Sequence, residues 1–466
     1  MINSLALSIL LLAFFSSIAF NGFFRAIAKK YNILIDIPDK VRRFHFRATP
    51  LTGGMGIFFG ILFTGLVLTG LTDARYLINF NDKGFLENTS FNENVISKSY
   101  EVENKDYDLS INLNSNEEKI SVVIDQEDSN LTKNNSTVDI IPLGTNKFKV
   151  VLPNGDEKFY ISESGNITEI SKDKEEIINT FTPQNTENEK VKITNFSISL
   201  YICALIILVF MIFDDLYKIK PTARLLFQIF VVSLMIVMSE EYITSFGNLI
   251  GTGEINLGIA SIPITIFCVV GLMNAFNMID GLNGICASLA LIPIIFLAFL
   301  GDFSYGLLIP IGGILGFLAY NLGYLGKKRR VFLGDSGSNM LGFSVAFICI
   351  EYSQNVNHES YINPTTALWF VAIPLIDCVG VLISRAIKGI MPFRAGRDHL
   401  HHKLLQSGIT PKKILLGFFS LAIFLSAIGY TLEMLYSEKE YISFYAFVVL
   451  IFLYYIFSKL KLKNNV

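Results

Sequence analysis

Charge is scarce in this chain. Only 17% of its 466 residues are charged, against 52% hydrophobic, and the mean hydropathy is +0.48. A soluble chain of this length carries about a quarter charged residues, so a soluble enzyme and a nucleic-acid binder are both excluded. Cysteine is scarce too. All five (Cys203, Cys268, Cys286, Cys349, Cys378) lie in apolar stretches, where Cys acts as a small hydrophobe, and none has a metal-ligand spacing. Segment 73–196 has no cysteine, which excludes a disulfide-stapled domain there. The first apolar run lacks a charged leading region and a small-residue cleavage site, so it reads as a retained span.

Long apolar runs are what the chain has. Eleven spans are expected, at about 2–24, 53–71, 197–213, 221–239, 259–277, 283–300, 304–321, 337–351, 366–386, 413–434 and 441–459, each near the length needed to cross a bilayer. The connections after odd-numbered spans collect Lys and Arg (Lys29, Lys30, Arg42, Arg43, then Lys327, Lys328, Arg329, Arg330, then Arg385, Arg394, Arg397). Positive-inside bias then predicts an outside N-terminus and a cytoplasmic C-terminus. The expected fold is an all-α polytopic membrane protein of the cytoplasmic membrane: spans 1–2 in residues 1–72, an insert at 73–196, and spans 3–11 in 197–466.

The insert holds 23 Asp and Glu against 13 Lys and Arg, a net of −10, while the other 342 residues hold 17 against 25. Following span 2, it is expected on the extracytoplasmic side and reads as β-rich. Lys147–Leu152 and Lys158–Ser162 flank an Asn-Gly turn at 154–155, Ile167–Ile170 adds a third strand, and Ile120–Ile124 a separate one. The Asn-rich stretches 87–118 and 127–136 read as loops or partly disordered segments.

Acidic and amide residues at the ends of apolar spans need a reason, because burying charge in a bilayer is costly. They cluster on the cytoplasmic side. Asp214-Asp215 closes span 3, its neighbours about 100° apart on a helix, beside a basic helix that begins at Pro221. Asn274, Asn277 and Asp280 recur every three residues on one helical face, followed by Gly281 and Gly284; they offer hard oxygen ligands and amide donors suited to Mg2+ and a nucleotide. An interhelical amide ladder is the competing use of that face. Gly334-Asp335-Ser336-Gly337-Ser338 opens span 8, where helix N–H groups would attract phosphate and Asp335 would require a bridging cation. Arg394, Arg397, His399, His401 and His402 crowd one connection; zinc lacks a fourth ligand there, so the loop reads as a grip for phosphate and sugar oxygens. His45 and Thr49, in a basic run ending Thr49-Pro-Leu-Thr-Gly-Gly54, are further substrate-binding candidates. Together these residues point to transfer of a phospho-sugar onto a lipid phosphate.

The Asp-Asp pair, the N-x-x-N-x-x-D-G run at 274–281, the Gly-Asp-Ser-Gly-Ser run and His399-Leu-His401-His402 resemble, in order and topology, the polyprenyl-phosphate N-acetylhexosamine-1-phosphate transferases. The resemblance covers about 30–70 and 197–410. It implies ten or eleven membrane helices with a cytoplasmic cleft, and a homodimer. By resemblance, Asp335 binds Mg2+ (or Mn2+) with Asn277 or Asp280, Asp214 and Asp215 handle the lipid phosphate, Asp280 joins the catalytic set, and Arg394, Arg397 and the three histidines read the sugar and diphosphate. The implied reaction is UDP-N-acetylhexosamine, most simply UDP-GlcNAc, plus undecaprenyl phosphate giving lipid-diphosphate sugar and UMP, which starts a surface polysaccharide. Phospho-MurNAc-pentapeptide transfer and a non-enzymatic lipid-phosphate transporter stay open as alternatives, although the sequence shows clearly neither the internal repeats nor the midplane charges of a transporter. Asn283 stands where many relatives have Asp, and Ala48 and Leu51 replace the usual Pro and Arg.

Overall fold

The computed structural model describes residues 4–37, 47–71, 195–300, 305–354, 361–389 and 398–459, and the strands alone between 97 and 181. The chain forms two compact units, residues 1–71 with 193–466, and residues 72–192.

The first unit is helical: α1 Ser4–Tyr31, α2 Gly53–Leu71, α3 Asn195–Tyr217, α4 Pro221–Ser239, α5 Ser261–Ile279, α6 Ile285–Leu300, α7 Tyr305–Asn321, α8 Gly334–Ser353, α9 Pro364–Phe370, α10 Ala372–Ile387, α11 Leu400–Gln406, α12 Pro411–Tyr436 and α13 Glu440–Lys459. Among the described residues six helices (α1, α3, α4, α5, α12, α13) are long and apolar enough to cross a membrane alone, or seven spans if α9 and α10 count as one. Helices α2, α6 and α7 are apolar but shorter. The continuous span expected at 366–386 is corrected. It breaks at Val371, and α9 and α10 meet at an 84° bend. Pro374 has no N–H to give to the carbonyl four residues back, so it fits the first turn of a new helix and not the middle of an old one.

Helix α8 is the hub. Sixteen of its twenty residues are buried, and it packs on α3, α5, α6 and α2. Gly342 lets α5 close on it, since a Cβ there would meet the Met273 backbone at 2.9 Å. The contact of α1 with α7 uses the same device at Gly312 and Gly316, where added Cβ atoms would strike the carbonyls of Leu10 and Phe14 at 2.5 Å. Small residues let helix backbones approach where no hydrophobic difference from lipid drives them together.

A short ladder leads into the site. Ile35–Asp36 pairs antiparallel with Thr49–Pro50. The chain beyond then pairs with the approach to α8: Phe332 N–H donates to Pro50 O at 2.8 Å, and Gly53 N–H to Phe332 O at 2.9 Å. The Gly-Gly at 53–54 has a packing cause. A Cβ at Gly53 would lie 2.2 Å from the Phe317 ring, and one at Gly54 2.6 Å from Gly337 Cα.

The second unit contains two described antiparallel sheets. One has strands Ser97–Asn104, Tyr107–Asn114 and Ile120–Asp125; the other runs Asp139–Gly144, Lys147–Val151, Glu157–Glu163, Asn166–Ile170 and Ile177–Phe181 in sequential order. The first two strands overturn the loop reading of 87–118. Their alternation (Tyr107, Leu109, Ile111, Leu113) is the period-2 strand pattern, hidden in a composition rich in Asn and Glu.

Candidate active site

The helix ends of α3, α4, α5 and α8 meet at one place. Asp214 and Asp215 close α3 and, being adjacent, face different partners. Asp214 is buried. Its Oδ1 accepts from Ile219 N–H at 2.9 Å and its Oδ2 from Arg224 Nη1 at 3.2 Å. The same Arg224 nitrogen lies 3.4 Å from Asp335 Oδ2. Asp215 instead accepts from the backbone N–H groups of Asp335 and Ser336, both at 3.4 Å. It thus caps α8 through a residue distant in sequence, with negative charge at the positive helix end. Gly334 holds φ +78°, and a Cβ there would sit 3.0 Å from Asp215 Oδ2, so the turn admits the carboxylate because residue 334 is Gly.

The Asn-x-x-Asn-x-x-Asp face of α5 divides its duties. Asn274 Nδ2 donates to Gln228 Oε1 at 3.0 Å and to Val270 O. Gln228 in turn donates to Asn339 Oδ1 at 2.7 Å, and Asn339 to Asp335 O at 2.8 Å. This is an amide ladder across α5, α4 and α8, and Asn274 belongs to it. Asn277 donates to Ser338 Oγ at 2.9 Å, nearer the carboxylates. Asp280 ends α5, where desolvation and then the charges of Asp335 and Asp215 push its carboxyl up to about 8. Asp335 is the open member, its side chain 43% exposed.

The histidine segment reaches the same loop from the other side. His401 is fully buried and neither ring nitrogen has a hydrogen-bond partner; a Cβ on Gly281 would lie 2.2 Å from its Nε2. Burial, then His402, pushes its imidazole down to about 3, so it is neutral at physiological pH. His402 lies beside it, ring centroids 4.1 Å apart and planes tilted by 44°. His399 is also buried and lies against Asp377. Thr49 donates its hydroxyl to Arg47 O at 3.0 Å and lines a cationic cavity of about 280 Å3 with Lys29, Arg47, Lys327, Lys328 and Arg330. His45, Arg394 and Arg397 lie outside the described residues.

Sequence reasoning missed Arg224, Gln228, Asn339 and Asp377 as site residues. Asp377 could have been found, being a carboxylate within the apolar run of α10.

Among the described residues no three His, Cys, Asp or Glu side chains converge closely enough to hold a metal by themselves. The mutual repulsion of Asp215, Asp280 and Asp335 still fits Mg2+, which binds through one or two carboxylates and completes its shell with water and substrate phosphate.

Residues 197–353, which carry this cluster, match the family model described as glycosyl transferase family 4. The chain is 36% identical over 264 residues to undecaprenyl-phosphate alpha-N-acetylglucosaminyl 1-phosphate transferase of Escherichia coli K12, covering 55% of this chain and 71% of that protein. It is 34% identical over 262 residues to the protein of that name from Yersinia pestis, and 36% over 258 residues to that from Haemophilus influenzae, covering 71% and 70% of those proteins and 55% and 52% of this chain. With a relative of this identity covered over more than two thirds of its length, the chain belongs to the polyprenyl-phosphate N-acetylhexosamine-1-phosphate transferase family and is an enzyme of the phosphotransferase class.

Proposed function

We propose that this enzyme transfers GlcNAc-1-phosphate from UDP-GlcNAc to undecaprenyl phosphate, releasing UMP and starting a surface polysaccharide. The observation that carries the reading is the gathering of Asp215, Asp280 and Asp335 near the N-terminus of α8, where Arg224 joins Asp335 to Asp214. The names of the relatives supply the acceptor and sugar.

A lipid phosphate oxygen attacks the β-phosphorus of the donor; the bond from that phosphorus to the bridging oxygen breaks, and UMP leaves with the electron pair. A phosphate monoester is largely ionised at neutral pH, so the nucleophile needs no strong base. Bound Mg2+ would neutralise charge developing on the diphosphate, held by Asp335 with Asp280 or the amide oxygen of Asn277. Asp215 positions Asp335 through the backbone of α8. Asp214 orients Arg224, whose fork suits a phosphate. Arg394, Arg397, His399, His402 and the loop of His45 and Thr49 are assigned to donor recognition, and Asn274 to the ladder that ends on the Asp335 carbonyl. The chain sits in the cytoplasmic membrane with eleven spans, the catalytic loops inside and the 73–196 insert outside, and it pairs as a homodimer.

Purified protein incubated with radiolabelled UDP-GlcNAc, undecaprenyl phosphate and Mg2+ should yield labelled lipid. No labelled lipid from UDP-GlcNAc, with efficient use of UDP-MurNAc-pentapeptide, would overturn the donor assignment.

A further inference from the structure

Asp377 is a buried carboxylate on α10 with three donors. His399 Nδ1 lies 2.8 Å from its Oδ2, Leu400 N–H donates to Oδ1 at 3.0 Å, and the Tyr454 hydroxyl of α13 donates to the same Oδ1. One turn-pair further along α10, buried Arg385 grips Asp398 through Nε at 3.1 Å and Nη2 at 3.0 Å. Two residues of α10 therefore pin consecutive residues of the histidine segment. Asp377 also satisfies the first N–H of α11, one of the orphan donors at a helix start.

The chemistry of this contact decides a tautomer. A carboxylate accepts only, so the imidazole nitrogen facing Oδ2 carries the proton. In neutral His399 the other nitrogen, Nε2, is then left with its lone pair. We infer that Asp377 is a positioning residue which fixes His399 as the Nδ1–H tautomer, presenting Nε2 as a hydrogen-bond acceptor to a hydroxyl or amide N–H of the donor sugar. The inference rests on the donor-binding role given to His399 above.

Asp377→Asn separates this role from plain helix capping. Oδ1 takes two donors, so the asparagine keeps its oxygen there and turns its NH2 toward His399. The cap of α11 survives, but Nδ1 must now accept, and the proton moves to Nε2. Donor KM should rise about tenfold with kcat within about threefold of wild type. In a His399→Gln background the same substitution should add nothing, because the two residues act as a unit. An unchanged donor KM in D377N, or multiplying effects in the double variant, would overturn the inference.

Nitrogen-15 NMR of histidine-labelled wild-type protein at pH 8, with His399 assigned by its loss in folded H399Q, reads the tautomer without turnover and without any change at Asp377. A protonated Nδ1 and bare Nε2 are expected; a proton on Nε2 would sink the proposal. If wild-type protein fails to use UDP-GlcNAc while NMR shows the Nδ1–H form, the donor reading fails and the positioning contact stands.

Discussion

Gly281 and His401 touch so closely that a methyl group at 281 would come within 2.2 Å of the imidazole Nε2. The Asp280-Gly281 turn thus rests on the histidine helix, although the two are 120 residues apart in sequence.

Gly281→Ala should displace this contact, at an overpacking cost of about 1–3 kcal/mol. Transfer activity is expected to fall at least about tenfold, and His401→Ala on the same chain should restore part of it by vacating the space. Radiolabelled transfer assays on the three variants check this; a G281A enzyme with wild-type turnover would show that the turn does not need the contact.

His401 also predicts an acid weakness. Its folded value, pushed down to about 3 by burial, lies below the ordinary one of about 6.5. The unfolded chain takes up a proton first as pH falls, so stability is whole above about pH 6.5 and drains as pH falls toward 3. Between pH 7 and 5 the loss is about 2 kcal/mol from this group alone. His401→Gln should flatten that part of the profile, read as detergent-solubilised melting temperature at the two pH values. Equal slopes for both proteins would refute the buried neutral imidazole.

Arg224 joins Asp214 to Asp335 at 3.2 and 3.4 Å. Arg224→Lys keeps the charge and loses the planar fork, so activity should drop by about a hundredfold while melting shifts little. Arg224→Gln leaves Asp214 buried without a cation and should lower stability as well, by roughly 1–3 kcal/mol. Transfer rates and thermal melts on both variants separate the two effects. A fully active R224K would remove Arg224 from the phosphate-binding set.

Asp335→Ala should leave the fold intact and abolish turnover, because the exposed carboxylate proposed to hold Mg2+ is gone. Transfer above a tenth of the wild-type rate at saturating Mg2+ counts against the metal assignment. In wild-type protein, EDTA should stop transfer and added Mg2+ should restart it.

Replacing residues 75–192 by a short Gly/Ser linker should preserve transfer in detergent, since none of the site residues lies in that unit. Loss of activity with the helical unit still folded would make the insert part of the enzyme.

The sequence by itself placed most of the helices and marked the charged residues at their ends. Apolar runs and their period are local properties, so α3, α4, α5 and α12 could be read within a few residues, and Asp214, Asp215, Asp280 and Asp335 stand out because charge is costly beside such runs. Tertiary structure decided which partner each group meets. The N–H groups that Asp215 accepts at the start of α8, the amide ladder that holds Asn274 and the full burial of His401 all come from contacts distant in sequence. Arg224 and Asp377 gained their places only when α4 met α8 and α10 met α11. The reason is physical: a residue's backbone preference is set by its near neighbours, whereas the desolvation and hydrogen bonds that set a side chain's role come from elements packed against it from far along the chain.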